Sequence, residues 1–218
     1  MAYELVIWDC DGCLIDSEYI ACKLDAEIYT EAGYPITTDE VCERFIGVRE
    51  EDVFAIIKQE INRDLREHPA FDNYASRLND VFTRELKPIE GVKQVLAQLD
   101  VPVCIASGSS PERLQMSLGV TGLLDHFEGK IYSAVEVEKG KPAPDIFLYA
   151  ASKMGVAPEK CLVIEDSPAG IQGAKAAGMD VFGFTGASHI SPRVIDMIEQ
   201  GKPKKIFSHM GQIIDLMK

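Results

Sequence analysis

Four carboxylates follow two short apolar runs. Leu5-Val6-Ile7-Trp8 ends in Asp9-Cys10-Asp11, and Cys161-Leu162-Val163-Ile164 ends in Glu165-Asp166-Ser167. A third run, 101–106, ends in Ser107-Gly108-Ser109. Carboxylates gathered at one place repel each other unless a cation lies among them. Mg2+ suits such a set, because it prefers oxygen ligands and keeps several waters. The expected metal group is Asp9, Asp11, Glu165 and Asp166. Asp9 and Asp166 offer direct oxygens, a backbone carbonyl near Asp11 adds one, and Glu165 either coordinates or holds a bound water. The histidines His68, His126, His189 and His209 lie in none of these loops, which argues against zinc and against a Ser-His-Asp hydrolase. Lys141, in Lys139-Gly140-Lys141-Pro142, supplies a fixed positive charge for a phosphate. Ser107 and the amides of Gly108 and Ser109, at a helix start, form an anion cradle. Ser109 or Ser110 before Pro111, and Ser167 before Pro168, also read as helix N-caps.

The elements that must carry these residues alternate. Strands are expected at 5–8, 101–106, 161–164, 181–184 and 206–207. Helices are expected at 111–119, 144–154, 168–177 and 192–200, with a short one from about 209. This order predicts a doubly wound parallel-sheet, Rossmann-like α/β core whose ligand crevice lies at the carboxyl ends of the strands. Residues 16–87 break the rhythm with four helical patterns, at 17–32, 38–45, 50–65 and 70–86. Thr37-Thr38-Asp39-Glu40 fits a capping box, and Gly33 and Gly47 fit helix stops. The expected organisation is a discontinuous core, 1–15 and 88–218, with an all-helical cap, 16–87, inserted after the first strand. The cap carries 9 basic and 17 acidic residues, so it is the more acidic part.

The whole chain has 218 residues, 22 basic and 35 acidic, for a net charge of −13. Such a chain repels a phosphate backbone or an anionic membrane, so neither is an expected partner. No apolar stretch is long enough to span a bilayer, and the N-terminus does not read as a signal peptide. The six cysteines do not form a secreted disulfide pattern, which predicts a cytoplasmic protein with reduced thiols. A monomer or weak homodimer is expected.

The motifs together resemble the haloacid dehalogenase superfamily, in its β-phosphoglucomutase-like subgroup. Asp9-Cys10-Asp11-Gly12-Cys13-Leu14-Ile15-Asp16-Ser17-Glu18 is similar to the nucleophile motif, and Ser107 matches the second motif. Lys141-Pro142-Ala143-Pro144-Asp145 resembles the third, and Glu165-Asp166-Ser167-Pro168-Ala169-Gly170 the fourth. The resemblance spans nearly the whole chain. It implies an Mg2+-dependent phosphatase acting on a small phosphorylated metabolite such as a sugar phosphate. Asp9 would be the nucleophile and form an aspartyl-phosphate. Asp11 would serve as acid and then base, and Ser107 and Lys141 would hold the phosphate. The cap would read the leaving group, with the loop at Gly47 and Arg49 resembling the subgroup's specificity loop.

Several alternatives accompany this reading. A β-phosphoglucomutase-type mutase would carry a histidine where this chain has Ala21. Asp11 argues against a dehalogenase or phosphonate hydrolase, which lack an acid there. Cys10 and Cys13 form a C-x-x-C, so redox sensitivity is a separate hypothesis. A non-catalytic regulatory protein on the same fold would be expected to lose Asp9, Asp11, Lys141 or Asp166, and none is lost. Arg49 would bind an anionic group of the substrate or face solvent.

Overall fold

A computed structural model describes residues 3–218. The apolar run Leu5–Trp8 forms β1, and every residue in it is buried. It pairs in parallel with β2 (Val103–Ser107) on one side and β4 (Cys161–Glu165) on the other. The remaining strands are β3 (Ile131–Ser133), β5 (Asp180–Phe184) and β6 (Lys205–Phe207). All pairings are parallel, in the order β3-β2-β1-β4-β5-β6. Strand order reverses between β1 and β4, the place where such sheets open a ligand crevice. Register sets the site there. Trp8 is level with Ile105 and with Ile164, so Asp9, Ser107 and Glu165 emerge at neighbouring strand ends.

Side chains alternate between the two faces of the sheet, as a doubly covered sheet requires. Val6, Trp8, Ile105 and Ile164 join one apolar cluster, while Leu5, Ile7, Cys104 and Val163 join another. Helices α5 (Val92–Gln98), α6 (Pro111–Thr121) and α10 (Ile213–Leu216) cover the first face. Helices α7 (Asp145–Met154), α8 (Pro168–Ala176) and α9 (Pro192–Gly201) cover the second. Three of these helices start the same way. Ser110, Ser167 and Ser191 each accept a backbone N–H at the N-cap, with proline next in the chain.

Between β1 and β2 stand α1 (Glu18–Glu31), α2 (Thr38–Phe45), α3 (Glu50–Ile61) and α4 (Tyr74–Glu85), ahead of α5. The Thr37–Glu40 capping box forms at α2. Tyr29, Phe45, Phe54 and Ile57 build a separate apolar cluster among these helices. Leu24 and Ile28 of α1, and Leu78 and Phe82 of α4, instead belong to the cluster on the sheet's first face. The chain leaves and returns through paired backbone: the Asp16 amide donates to the Lys87 carbonyl at 3.0 Å, and the Ile89 amide to the Leu14 carbonyl at 3.0 Å.

Some elements differ from the sequence expectation. The third helical segment stops at Ile61, because Asn62 adopts the left-handed conformation. The fourth begins at Tyr74, because Pro69–Phe71 forms a separate short turn capped by His68. Helix α5 and strand β3 were not expected; seven and three residues are too short to display a period. Among the described residues no helix is long and apolar enough to cross a membrane.

Candidate active site

A cavity of about 310 Å3 opens at the carboxyl ends of β1, β2 and β4. Asp9, Asp11, Ser107, Gly108, Ser109 and Lys141 line it, together with Asp166. Lys141 forms the centre of the charge pattern. Its Nζ lies 2.5 Å from Asp9 Oδ1 and 2.6 Å from Glu165 Oε1, with the lysine side chain only 11% exposed. Burial alone would lower the Lys141 pKa, but attraction to Asp9 and Glu165 outweighs it and holds the ammonium above its ordinary value. Asp9 is shifted upward by burial and by the surrounding carboxylates Glu165, Asp166 and Asp11, in spite of Lys141.

Glu165 is fully buried and saturated by protein. Oε1 meets Lys141, while Oε2 accepts from the amide and hydroxyl of Ser167, each at 2.9 Å. The next helix crosses directly over it. A Cβ on Gly170 would stand 1.7 Å from Glu165 Oε1, so the Ser-Pro-Ala-Gly sequence needs glycine at that turn. Gly12 has the same function on the other side. At φ +76°, a Cβ there would stand 1.8 Å from Asp166 Oδ2. Both glycines let backbone approach a carboxylate closely.

Asp9, Glu165 and Asp166 each present an oxygen within 4.8 Å of the others, and all three are buried. An all-oxygen set of this kind fits a hard divalent cation such as Mg2+. Asp11, included in the expected metal group, turns its side chain elsewhere. Oδ1 accepts from the Ser17 hydroxyl at 2.6 Å and lies 3.4 Å from the Arg113 guanidinium, and Oδ2 accepts from the Ser109 hydroxyl at 2.7 Å. Ser107 Oγ accepts from the Ser109 amide at 3.0 Å, which folds the second loop back over the strand end. Gly47 reaches the cavity wall, whereas Arg49 lines no part of it. Arg49 is 74% exposed and pairs with Glu51 and Asp52.

Four further residues, none assigned a role from the sequence, stand at or behind the site. The histidines were expected to stand apart from these loops, yet His189 Nε2 lies 3.2 Å from Asp166 Oδ2, with the ring buried. Burial would lower the His189 pKa; the hydrogen bond and charge of Asp166 raise it above the ordinary value. Asp16 holds the loop that delivers it, accepting from the amide of Ser188 at 3.0 Å and from the Ser188 hydroxyl. Glu18 lines the cavity, and burial pushes its carboxyl up to about 7. Arg113 reaches Asp11 from the first turn of α6 while lying over the Phe82 ring. A cysteine pair is also present: Cys10 and Cys13 are free and fully buried, and burial pushes both thiols well above their ordinary range. That disfavours thiolate chemistry at either.

Known proteins share this arrangement of strands. Residues 6–184 match the haloacid dehalogenase-like hydrolase family, and the chain belongs to that family. The 6-phosphogluconate phosphatase of Escherichia coli (strain K12) is 32% identical over 215 residues, covering 99% of this chain and 95% of that protein. The fructose-1-phosphate phosphatase of the same organism is 30% identical over 182 residues, covering 82% and 94%. A conserved haloacid dehalogenase-like protein of unknown function from Agrobacterium tumefaciens superposes with a TM-score of 0.92 at 40% identity, covering 99% and 97%. The chain is a phosphoric monoester hydrolase of this family.

Proposed function

We propose that the protein is an Mg2+-dependent phosphatase that hydrolyses a phosphorylated carbohydrate through a phosphoryl group carried on Asp9. The observation that supports this most is the buried Lys141, held between Asp9 and Glu165 with Asp166 beside them. Acid and sugar phosphates are the named substrates of two relatives, which supports the substrate class. The free, buried cysteines are in keeping with a reducing, cytoplasmic setting.

In this reading an Asp9 oxygen attacks phosphorus while the bond to the leaving-group oxygen breaks. Asp11 gives that oxygen a proton. Once deprotonated, Asp11 accepts a proton from water as the water oxygen attacks phosphorus and the Asp9–phosphorus bond breaks. To do either, Asp11 exchanges its bonds to Ser17 and Ser109 for the substrate oxygen. Lys141 and the Ser107 hydroxyl hold phosphoryl oxygens. Asp9 and Asp166 would hold Mg2+, with Glu165 fixing Lys141. The ion would supply neutralisation of phosphoryl charge. His189 keeps Asp166 oriented. The helices at 16–87 act as the cap that excludes water and reads the leaving group.

Phosphate release from a panel of sugar phosphates, with Mg2+ and with EDTA, tests this function. Release that requires Mg2+ is expected; full activity in chelator contradicts it. Incubation with β-glucose 1-phosphate plus catalytic β-glucose 1,6-bisphosphate separates phosphatase from mutase. Free phosphate is the expected product, since Ala21 lines the cap and offers no proton-transfer group. Faster accumulation of glucose 6-phosphate contradicts that expectation.

A further inference from the structure

A second cavity, of about 410 Å3, adjoins the catalytic one among the helices of the cap, and the two share Glu18, Ile46 and Gly47 as wall. It lies where the non-phosphate part of a bound ester would extend. Tyr29, Phe54 and Tyr74 supply aromatic wall, and Glu18, Asp25 and Glu50 supply carboxylates. Among the described residues no lysine, arginine or histidine lines this cavity. The nearby guanidinium groups are committed elsewhere: Arg49 to Glu51 and Asp52, Arg44 to Glu60 and Tyr34, and Arg113 to Asp11.

Glu18 and Asp25 are half-buried and Glu50 is exposed in this wall. No hydrogen bond or ion pair to protein engages Glu18 among the described residues, and burial pushes it up to about 7. Asp25 is pushed up to about 6 by burial, against a hydrogen bond from Tyr74. A half-buried carboxylate has lost part of its water, and a hydrogen-bond donor from a ligand replaces what is lost. A second anion in this cavity would meet like charges with no cation in the wall to offset them. The aromatic faces accept the C–H faces of a sugar ring and attract an ammonium group.

Resting on the phosphatase reading above, we propose that this cavity selects phosphomonoesters whose leaving group is rich in hydrogen-bond donors and carries no second anionic group. The donors are hydroxyls or an ammonium. Gly47 lines both cavities and Arg49 lines neither. The chain therefore separates in substrate class from its relative that acts on 6-phosphogluconate, an ester with a carboxylate at its far end.

The test uses the full chain with Mg2+ and two size-matched pairs: glucose 6-phosphate against 6-phosphogluconate, and glycerol 3-phosphate against 3-phosphoglycerate. In each pair kcat/KM is expected to favour the uncharged leaving group by about tenfold or more. Glucosamine 6-phosphate distinguishes the donors: faster turnover than glucose 6-phosphate assigns them to ammonium, and slower or equal turnover to hydroxyls. Equal or faster turnover of the carboxylates, or no turnover of either neutral ester, overturns the proposal. p-Nitrophenyl phosphate separates the two failures. Its hydrolysis without discrimination sinks only the selectivity, whereas no hydrolysis of it or of any ester sinks the phosphatase reading. In Asp25→Asn and Glu50→Gln the neutral-to-anionic ratio of kcat/KM should fall about threefold or more. That ratio does not depend on how much of each variant is folded. An unchanged ratio in both variants overturns the assignment of the wall.

Discussion

His189 Nε2 stands 3.2 Å from Asp166 Oδ2, and so ties the loop after β5 to the carboxylate that follows β4. Asp16 holds that loop from the opposite side through Ser188. The contact fixes which way Asp166 faces. Partners of this kind are worth about 10–100-fold in metal affinity in other sites. His189→Ala is expected to weaken Mg2+ binding by about tenfold or more, read by calorimetric titration without substrate. Unchanged Mg2+ affinity contradicts the positioning role.

Lys141 is the countercharge for two buried carboxylates, so its removal costs stability as well as turnover. Lys141→Ala should lower unfolding free energy by about 3 kcal/mol at neutral pH, because Asp9 and Glu165 are left buried without a countercharge. Urea denaturation in chelator measures it. A change below about 1 kcal/mol would mean that these groups are better solvated than their burial suggests.

Two glycines in helices provide a contrast that isolates the close approach to Glu165. A Cβ on Gly170 meets Glu165 Oε1 at 1.7 Å, whereas a Cβ on Gly119 meets nothing within 4 Å. Gly170→Ala should destabilise by about 1–3 kcal/mol, since neither the carboxylate nor α8 has room to move. Gly119→Ala should be neutral or stabilising by up to about 1 kcal/mol, as a helix interior gains from alanine. Equal effects at the two positions would contradict the packing described for α8.

Asp25 has a defined pH signature. Its carboxyl is pushed up to about 6 from an ordinary 3.8, chiefly by burial. The folded chain therefore keeps a proton that the unfolded chain has released, and this contribution to stability is lost as pH rises from about 4 to about 6. Asp25→Asn has no such loss. The variant is expected to gain on the parent protein between pH 4 and about pH 7 in denaturation midpoints, and parallel pH profiles would contradict the burial of Asp25.

Asp9, Ser107, Lys141 and Asp166 were legible because each directly follows or faces the end of an apolar strand, where a parallel sheet must open its crevice. Their types were also chemically conspicuous. His189 was not legible: it lies 23 residues beyond Asp166, in a loop whose approach depends on the Asp16–Ser188 contact, a pairing of distant residues. Asp11 read as part of the metal group through a nearby backbone carbonyl; its side chain is taken by the hydroxyls of Ser17 and Ser109. Arg49 read either as an anion binder or as a solvent-facing residue at a helix start; it faces solvent, paired with Glu51 and Asp52. The short β3 failed for want of length, since three residues at the sheet edge carry no period.

Trapping the covalent intermediate decides whether Asp9 carries the phosphoryl group. The protein would be mixed with Mg2+ and a rapidly cleaved ester such as p-nitrophenyl phosphate, quenched in acid within one turnover, digested, and mapped by mass spectrometry. An acid-stable, base-labile phosphoryl group on the peptide that contains Asp9 is expected, and its absence in Asp9→Asn. Asp11→Asn should still form it with this good leaving group and then release it slowly. A phosphoryl group on any other residue, or steady turnover by Asp9→Asn, would show that Asp9 is not the nucleophile.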